Sequence, residues 1–268
     1  MVTERKTPVN GRETRYLEAG SGRPIVLLHA FPFSADMWRA QLDRMPEGWR
    51  VIAPDLRGFG PGAAEPNVLL SMDDYAGDIL GLLEGLSIDR AVIGGLSMGG
   101  YVTFALFRQV PARFAGIILA DTKAQADTPD GKAGRRAMSE LVRTRGVEAV
   151  VDALLPKLTG ETTRRERPGA LADARRLMEA NHPAAIDAAL HALMTRPDST
   201  ADLSRIACPA LVIVGQEDTV TPPADAELVA HSIRGAELVV IPRAGHLSNV
   251  ESPEAFSSVL ADFLSRRF

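Results

Sequence analysis

Short runs of consecutive apolar residues alternate along the chain with longer stretches in which apolar positions recur every three or four residues. The runs are Ile25–Leu28, Val51–Ala53, Ala91–Ile93, Gly116–Ala120, Ala210–Val214 and Leu238–Ile241. They are rich in β-branched residues, too short for helices, and not interrupted by polar positions. A strand reads that way when both its faces are covered, so the runs predict a parallel sheet with helices on either side. The first twenty residues differ. Strand-like segments around 3–8 and 12–19 flank Asn10-Gly11, a dipeptide favoured in two-residue hairpin turns. An antiparallel hairpin is expected ahead of the parallel sheet.

The stretches between runs carry helix signals. Ser252-Pro253 offers an N-cap and a first-turn proline, and Phe256, Val259, Leu260, Phe263 and Leu264 then line one helical face. Thr221-Pro222 opens an earlier helix in the same way. From about residue 122 to 200 the alternation stops. Met138/Leu141/Val142, Val147/Val150/Val151/Leu154, Leu171/Leu177/Met178 and Ile186/Leu190/Leu193/Met194 repeat at helical spacing, divided by Pro156, Pro168 and Pro183. The expected organisation is an α/β core from residues 1–121 and 201–268, interrupted by an all-helical insertion over 122–200.

Composition narrows the field. The 268 residues are 46% hydrophobic, enough to bury a core without disulfides or a metal. Thirty Lys and Arg stand against 34 Asp and Glu, with no basic block, which argues against nucleic acid as a partner. No stretch approaches the length of a membrane span. The N-terminus has no apolar run of the secretory kind, so a cytoplasmic protein is expected. The one cysteine, Cys208, precedes Pro209 at a strand entry and reads as a small buried hydrophobe.

The chemistry begins at Gly95-Leu96-Ser97-Met98-Gly99, between the strand at 91–93 and a helical stretch with Tyr101, Phe104 and Leu106. A G-x-S-x-G pentapeptide alone is a common accident. Between strand and helix it reads as a nucleophile elbow, a tight turn whose small residues lift a strained serine above the sheet. The competing reading, a phosphate-binding turn, lacks both the P-loop and the dinucleotide pattern. A serine hydroxyl needs a base, and the base an orienting acid, in the chain order Ser…Asp…His. Asp218 follows the strand at 210–214, and His246 follows the strand at 238–241. Both therefore fall at carboxyl ends of strands, where open α/β sheets place their sites. The backbone N–H of Met98 and an N–H of the loop His29-Ala30-Phe31-Pro32, best that of Phe31, are the candidate donors to an oxyanion.

Other residues carry less. Asp121 also follows a strand and is an alternative acid, although capping the next turn fits it better. His29 reads as a brace for its loop, and His182, His191 and His231 as surface or packing residues. Arg57, in Asp55-Leu56-Arg57-Gly58-Phe59-Gly60, is a candidate brace through a carboxylate. Phe31, Phe33, Trp38, Met98 and, from the insertion, Met138, Leu155 and Met178 are candidate substrate-lining residues. Arg135, Arg136 and Arg143 are candidate receivers of a substrate carboxylate.

With these motifs assembled, the chain resembles α/β-hydrolase fold enzymes with a helical cap, over nearly its whole length. It is similar to the branch holding bacterial carboxylesterases, 3-oxoadipate enol-lactonase, meta-cleavage hydrolases and cofactor-free haloperoxidases. The resemblance implies acyl-serine chemistry without metal or cofactor, and a small ester or lactone as substrate. Many relatives carry His-Gly-x-Pro where this chain has Ala30. Serine at position 97 separates it from relatives that use aspartate there. A carboxylesterase is the expectation, with a lactonase, a perhydrolase and a ligand-sensing signalling protein as the alternatives.

Overall fold

A computed structural model describes residues 1–63 and 69–268. Eight strands form one sheet: β1 (Thr3–Val9), β2 (Arg12–Gly20), β3 (Arg23–Leu28), β4 (Trp49–Pro54), β5 (Ala91–Leu96), β6 (Phe114–Ala120), β7 (Ala210–Gly215) and β8 (Glu237–Ile241). Their order is β1-β2-β4-β3-β5-β6-β7-β8. Asn10 and Gly11, both at positive φ, turn β1 onto β2 as an antiparallel hairpin, and β2 pairs antiparallel with β4. All later pairings are parallel. The sheet is thus the mostly parallel one of an α/β-hydrolase fold, and the apolar runs are its strands.

Parallel strands need crossovers, which the helices supply. They are α1 (Arg39–Asp43), α2 (Met72–Gly85), α3 (Met98–Gln109), α4 (Pro129–Leu158), α5 (Glu161–Glu166), α6 (Pro168–Glu179), α7 (Pro183–Thr195), α8 (Thr200–Leu203), α9 (Pro223–Ser232), α10 (Ser248–Glu251) and α11 (Pro253–Arg267). Alternate residues of each strand feed different clusters, as the two-residue period of a strand requires. Val26, Leu28, Ile93 and Val212 pack with Tyr75, Ile79 and Leu82 of α2 and Val229 of α9. Ile25, Leu27, Val92 and Ile213 pack with Trp38 and with Phe256, Leu260 and Phe263 of α11. Both faces are therefore buried, which explains why the runs lack polar interruptions.

Helices α4 to α7 fill the interval between β6 and β7, where periodicity predicted them. Two details differ from the expectation. Pro156 does not divide the helices: α4 runs on to Leu158, with Pro156, which has no N–H to donate to the Asp152 carbonyl, inside it. The break lies at Gly146, whose φ of 76° and ψ of −174° no helix accommodates. Among the described residues no helix is long and apolar enough to cross a membrane.

Register brings the carboxyl ends of the strands level. Leu28 lies beside Gly95 and Gly95 beside Leu119; Ala120 lies beside Ile213 and Gly215 beside Ile241. The loops that follow β3, β5, β6, β7 and β8 consequently emerge along one edge, and they carry His29 to Phe33, Ser97, Asp121, Asp218 and His246.

Candidate active site

Ser97 joins β5 to α3 at φ 54° and ψ −110°, a left-handed backbone conformation that a non-glycine residue rarely adopts. The turn is held shut by close approach. A Cβ on Gly99 would lie 2.2 Å from the Leu28 carbonyl oxygen, and one on Gly95 would lie 2.4 Å from the Gly99 carbonyl carbon. Small residues at 95 and 99 are therefore a steric condition of the turn. Ser97 accepts from the N–H groups of Gly100 and Tyr101 through its own carbonyl, which fixes the first turn of α3.

The three residues singled out from the sequence are brought together. His246 Nε2 lies 2.8 Å from Ser97 Oγ, and His246 Nδ1 lies 2.8 Å from Asp218 Oδ2. Both His246 and Asp218 are buried. The carboxylate is further saturated: Oδ1 accepts from the N–H of Val220 at 2.8 Å and of Thr221 at 3.0 Å, and Oδ2 accepts from the Thr221 hydroxyl at 2.7 Å. Burial pushes the Asp218 carboxyl toward neutrality. The imidazole beside it and the bonds from Thr221 outweigh burial, and the group ends below the usual carboxylate range. An ionised Asp218 in this place directs the Nδ1 proton toward itself and leaves Nε2 facing the serine as acceptor.

Thr221 was read from sequence as a helix cap. Its hydroxyl is instead on Asp218, and 3.2 Å from His246 Nδ1, while the N-cap of α9 passes to Pro222. The Ser252 hydroxyl likewise accepts from Arg167 and does not cap α11, although the helix begins where predicted.

Asp121 is fully buried at positive φ, and among the described residues it hydrogen-bonds neither His246 nor Ser97. Its Oδ1 accepts from the Gly215 N–H at 2.7 Å and its Oδ2 bonds the Ser248 hydroxyl. It ties the end of β7 to the loop after His246 and caps no turn. Burial, with the nearby Asp218 charge adding to it, raises the Asp121 carboxyl well above its ordinary value.

On the β3 side, Phe31–Pro32 is a cis peptide. His29 is fully buried; its Nε2 accepts from the Leu56 N–H at 3.0 Å, so its Nδ1 carries the proton and donates to the Ala30 carbonyl at 2.9 Å. Burial lowers its pKa to about 4, which keeps it a neutral brace between the loops after β3 and β4. The same loops are held by Arg15, which donates to Asp55 at 2.9 Å, while Asp55 accepts from the Ala35 N–H at 2.7 Å. Among the described residues, the hydrogen bonds present leave the N–H groups of Phe31 and Met98 without a protein acceptor.

The remaining candidates are placed as follows. Arg57 pairs with Asp78 of α2 through two bonds, at 2.7 and 2.6 Å, and does not reach the site. Trp38 is 1% exposed with its ring against Phe256 at 5.8 Å, and belongs to the core. Met138 is half-buried on α4, and Leu155 and Met178 are buried. Arg135 bonds Asp127 at 2.8 Å and Arg143 bonds Asp187 at 2.7 Å. Two residues with no sequence signal also join the site loops. Asn181 donates to the Pro32 carbonyl at 2.9 Å and accepts from the Gly60 N–H at 3.0 Å, and Glu251 bonds the backbone on both sides of His246.

The same arrangement of chain is found in known proteins. A thermophilic esterase from Thermogutta terrifontis is 37% identical, with a TM-score of 0.92 over 98% of each chain. The enol-lactonase from Burkholderia xenovorans LB400 is 31% identical, with a TM-score of 0.89 over 97% of this chain and 100% of that one. By sequence, 3-oxoadipate enol-lactonase 2 of Acinetobacter baylyi is 30% identical over 248 residues, 90% of this chain and 88% of its own. The model of the alpha/beta hydrolase family matches residues 25–259, and the chain belongs to that family of hydrolases.

Proposed function

We propose that the protein cleaves carboxylic esters of small to medium size through an acyl-serine intermediate. The observation that carries this reading is the imidazole of His246, bridging Ser97 Oγ and Asp218 Oδ2 at 2.8 Å each. His246 takes the hydroxyl proton as Ser97 attacks the ester carbonyl, and Asp218 stabilises the imidazolium that forms. The N–H groups of Phe31 and Met98 receive the oxyanion, the latter with the N-terminal dipole of α3 behind it. Collapse of the tetrahedral species expels the alcohol, which takes the proton from His246. Water then repeats the sequence on the acyl-serine and releases the acid. Residues 122–200 serve as the cap over this edge, with Phe31, Met98 and Met138 supplying apolar lining.

A lactone is an ester closed on itself, and two of the three relatives described above are enol-lactonases, so ring opening by the same residues is the second reading. The engagement of Arg135 and Arg143 by Asp127 and Asp187 favours a neutral substrate over one recognised by its carboxylate at these arginines. The test is hydrolysis of p-nitrophenyl esters from acetate to decanoate, alongside neutral and carboxylated lactones, by wild type and Ser97→Ala. The ester reading predicts serine-dependent turnover with a chain-length optimum. Turnover confined to lactones transfers the assignment, and turnover that survives Ser97→Ala defeats both.

A further inference from the structure

Glu251, at the end of α10, is 3% exposed. Its Oε1 accepts from the N–H of Gly245 and of Leu247, each at 3.0 Å, and its Oε2 accepts from the N–H of Gly160 at 2.8 Å. Gly245 and Leu247 are the chain neighbours of His246, so one carboxylate oxygen holds the backbone on both sides of the imidazole. Gly160 belongs to the helical segment between β6 and β7. The same stretch is tied to the acid's loop: Glu217, adjacent to Asp218, accepts from the Thr162 N–H at 2.8 Å and from the Thr162 hydroxyl. The contact is close enough to exclude side chains. A Cβ on Gly245 would lie 2.2 Å from the Gly160 nitrogen, and one on Gly160 would lie 2.8 Å from the Gly245 nitrogen.

We propose that Glu251 is a positioning residue for His246, holding the peptide units that flank the ring and taking its own place from Gly160 of the inserted segment. A carboxylate suits the task because it accepts three N–H bonds, where an amide has one acceptor oxygen and a pair of donors. The consequence is that the insertion helps to set the geometry of the base. A base displaced by about 1 Å loses roughly 100-fold in rate, so the tie needs only small movements to matter. The proposal rests on the reading of His246 as the base for Ser97.

Two variants break the tie differently. Glu251→Gln keeps the volume but turns an N–H₂ group toward one of the three donors. Gly160→Ala keeps Glu251, but its Cβ would lie 2.5 Å from Glu217 Oε2 and 2.8 Å from the Gly245 nitrogen, so it pushes the Glu217 carboxylate aside as well as parting the two backbones; its φ of −66° is open to alanine, so the effect is steric. Each is compared with wild type by kcat and KM on p-nitrophenyl acetate, by melting temperature, and by the far-downfield proton resonance of the His246–Asp218 hydrogen bond, assigned with Asp218→Asn. Asp78→Asn, which removes the partner of Arg57 and Arg12, is the control for loss of stability alone. The expected result is a kcat lowered about 10-fold or more in both variants with KM within about twofold, and a resonance shifted or lost, while Asp78→Asn keeps it. An unmoved resonance with kcat within twofold of wild type in either folded variant overturns the proposal. If wild type lacks serine-dependent turnover, the ester reading falls, and the resonance in the two variants still decides the positioning role.

Discussion

Lowering the pH from 7 to 5 tests the account of the loop after β3 at a single buried group, His29. Its pKa of about 4 lies below the value near 6.5 of an imidazole in water. The folded protein therefore stays neutral there while the unfolded chain takes up a proton. The stability that the neutral ring supplies is fully present above pH 6.5 and is lost as the pH falls toward 4. Two and a half pH units correspond to about 3 kcal/mol, of which about 2 kcal/mol falls between pH 7 and pH 5. Asp55 acts in the opposite sense over part of this range, because burial, against the pull of Arg15, raises it to about 6 and its contribution is lost as the pH rises. The wild type alone is for that reason uninformative, and the comparison is with His29→Gln. Glutamine does not titrate, and its Oε1 can accept from the Leu56 N–H as Nε2 does. Urea unfolding of both proteins at pH 7 and pH 5 should show wild type losing about 2 kcal/mol more than His29→Gln. Equal losses in the two proteins would refute the reading of His29 as a buried neutral brace.

Four other substitutions separate the residues around the site. Thr221→Val removes the hydroxyl on Asp218 at nearly constant volume; stability should fall by about 1.5–3 kcal/mol in urea unfolding at pH 7, the worth of a hydrogen bond to a charged group. Asp218→Asn should lower kcat by about 10⁴, because the amide no longer fixes the imidazole tautomer. Asp121→Asn, whose carboxyl meets Gly215 and Ser248, should cost less than about tenfold, and equal losses in steady-state kinetics would reverse the assignment of the acid. Gly99→Ala drives a Cβ into the Leu28 carbonyl and should lower the melting temperature sharply, as overpacking does; an unchanged melting temperature would show the elbow to be looser than described.

The strands were legible because both faces of β3, β5, β6 and β7 are buried, and burial on both faces writes an unbroken apolar run. The proposed nucleophile, acid and base were legible because each directly follows such a strand, so chain order and sheet register together place them on one edge. Residues that act through tertiary contacts left no such mark. Thr221 precedes a proline in a helix-start pattern, and nothing local distinguishes a hydroxyl that caps a helix from one that reaches Asp218. Glu251 sits among the charged residues ahead of α11 and becomes informative only once Gly160 is seen against Gly245. In the sequence a divider is read at Pro156 and none at Gly146, because proline is the stronger breaker in general. α4 nonetheless continues through Pro156 to Leu158, while the glycine at positive φ interrupts it outright.

The central claim is that Ser97 is the nucleophile, activated by His246. Reaction with a fluorophosphonate probe, followed by intact mass and peptide mapping, tests it without knowledge of the substrate. The account predicts one phosphonyl group per chain, located on Ser97, absent in Ser97→Ala and formed far more slowly in His246→Ala. A folded wild-type protein that takes no label, or takes it on another residue, would contradict it.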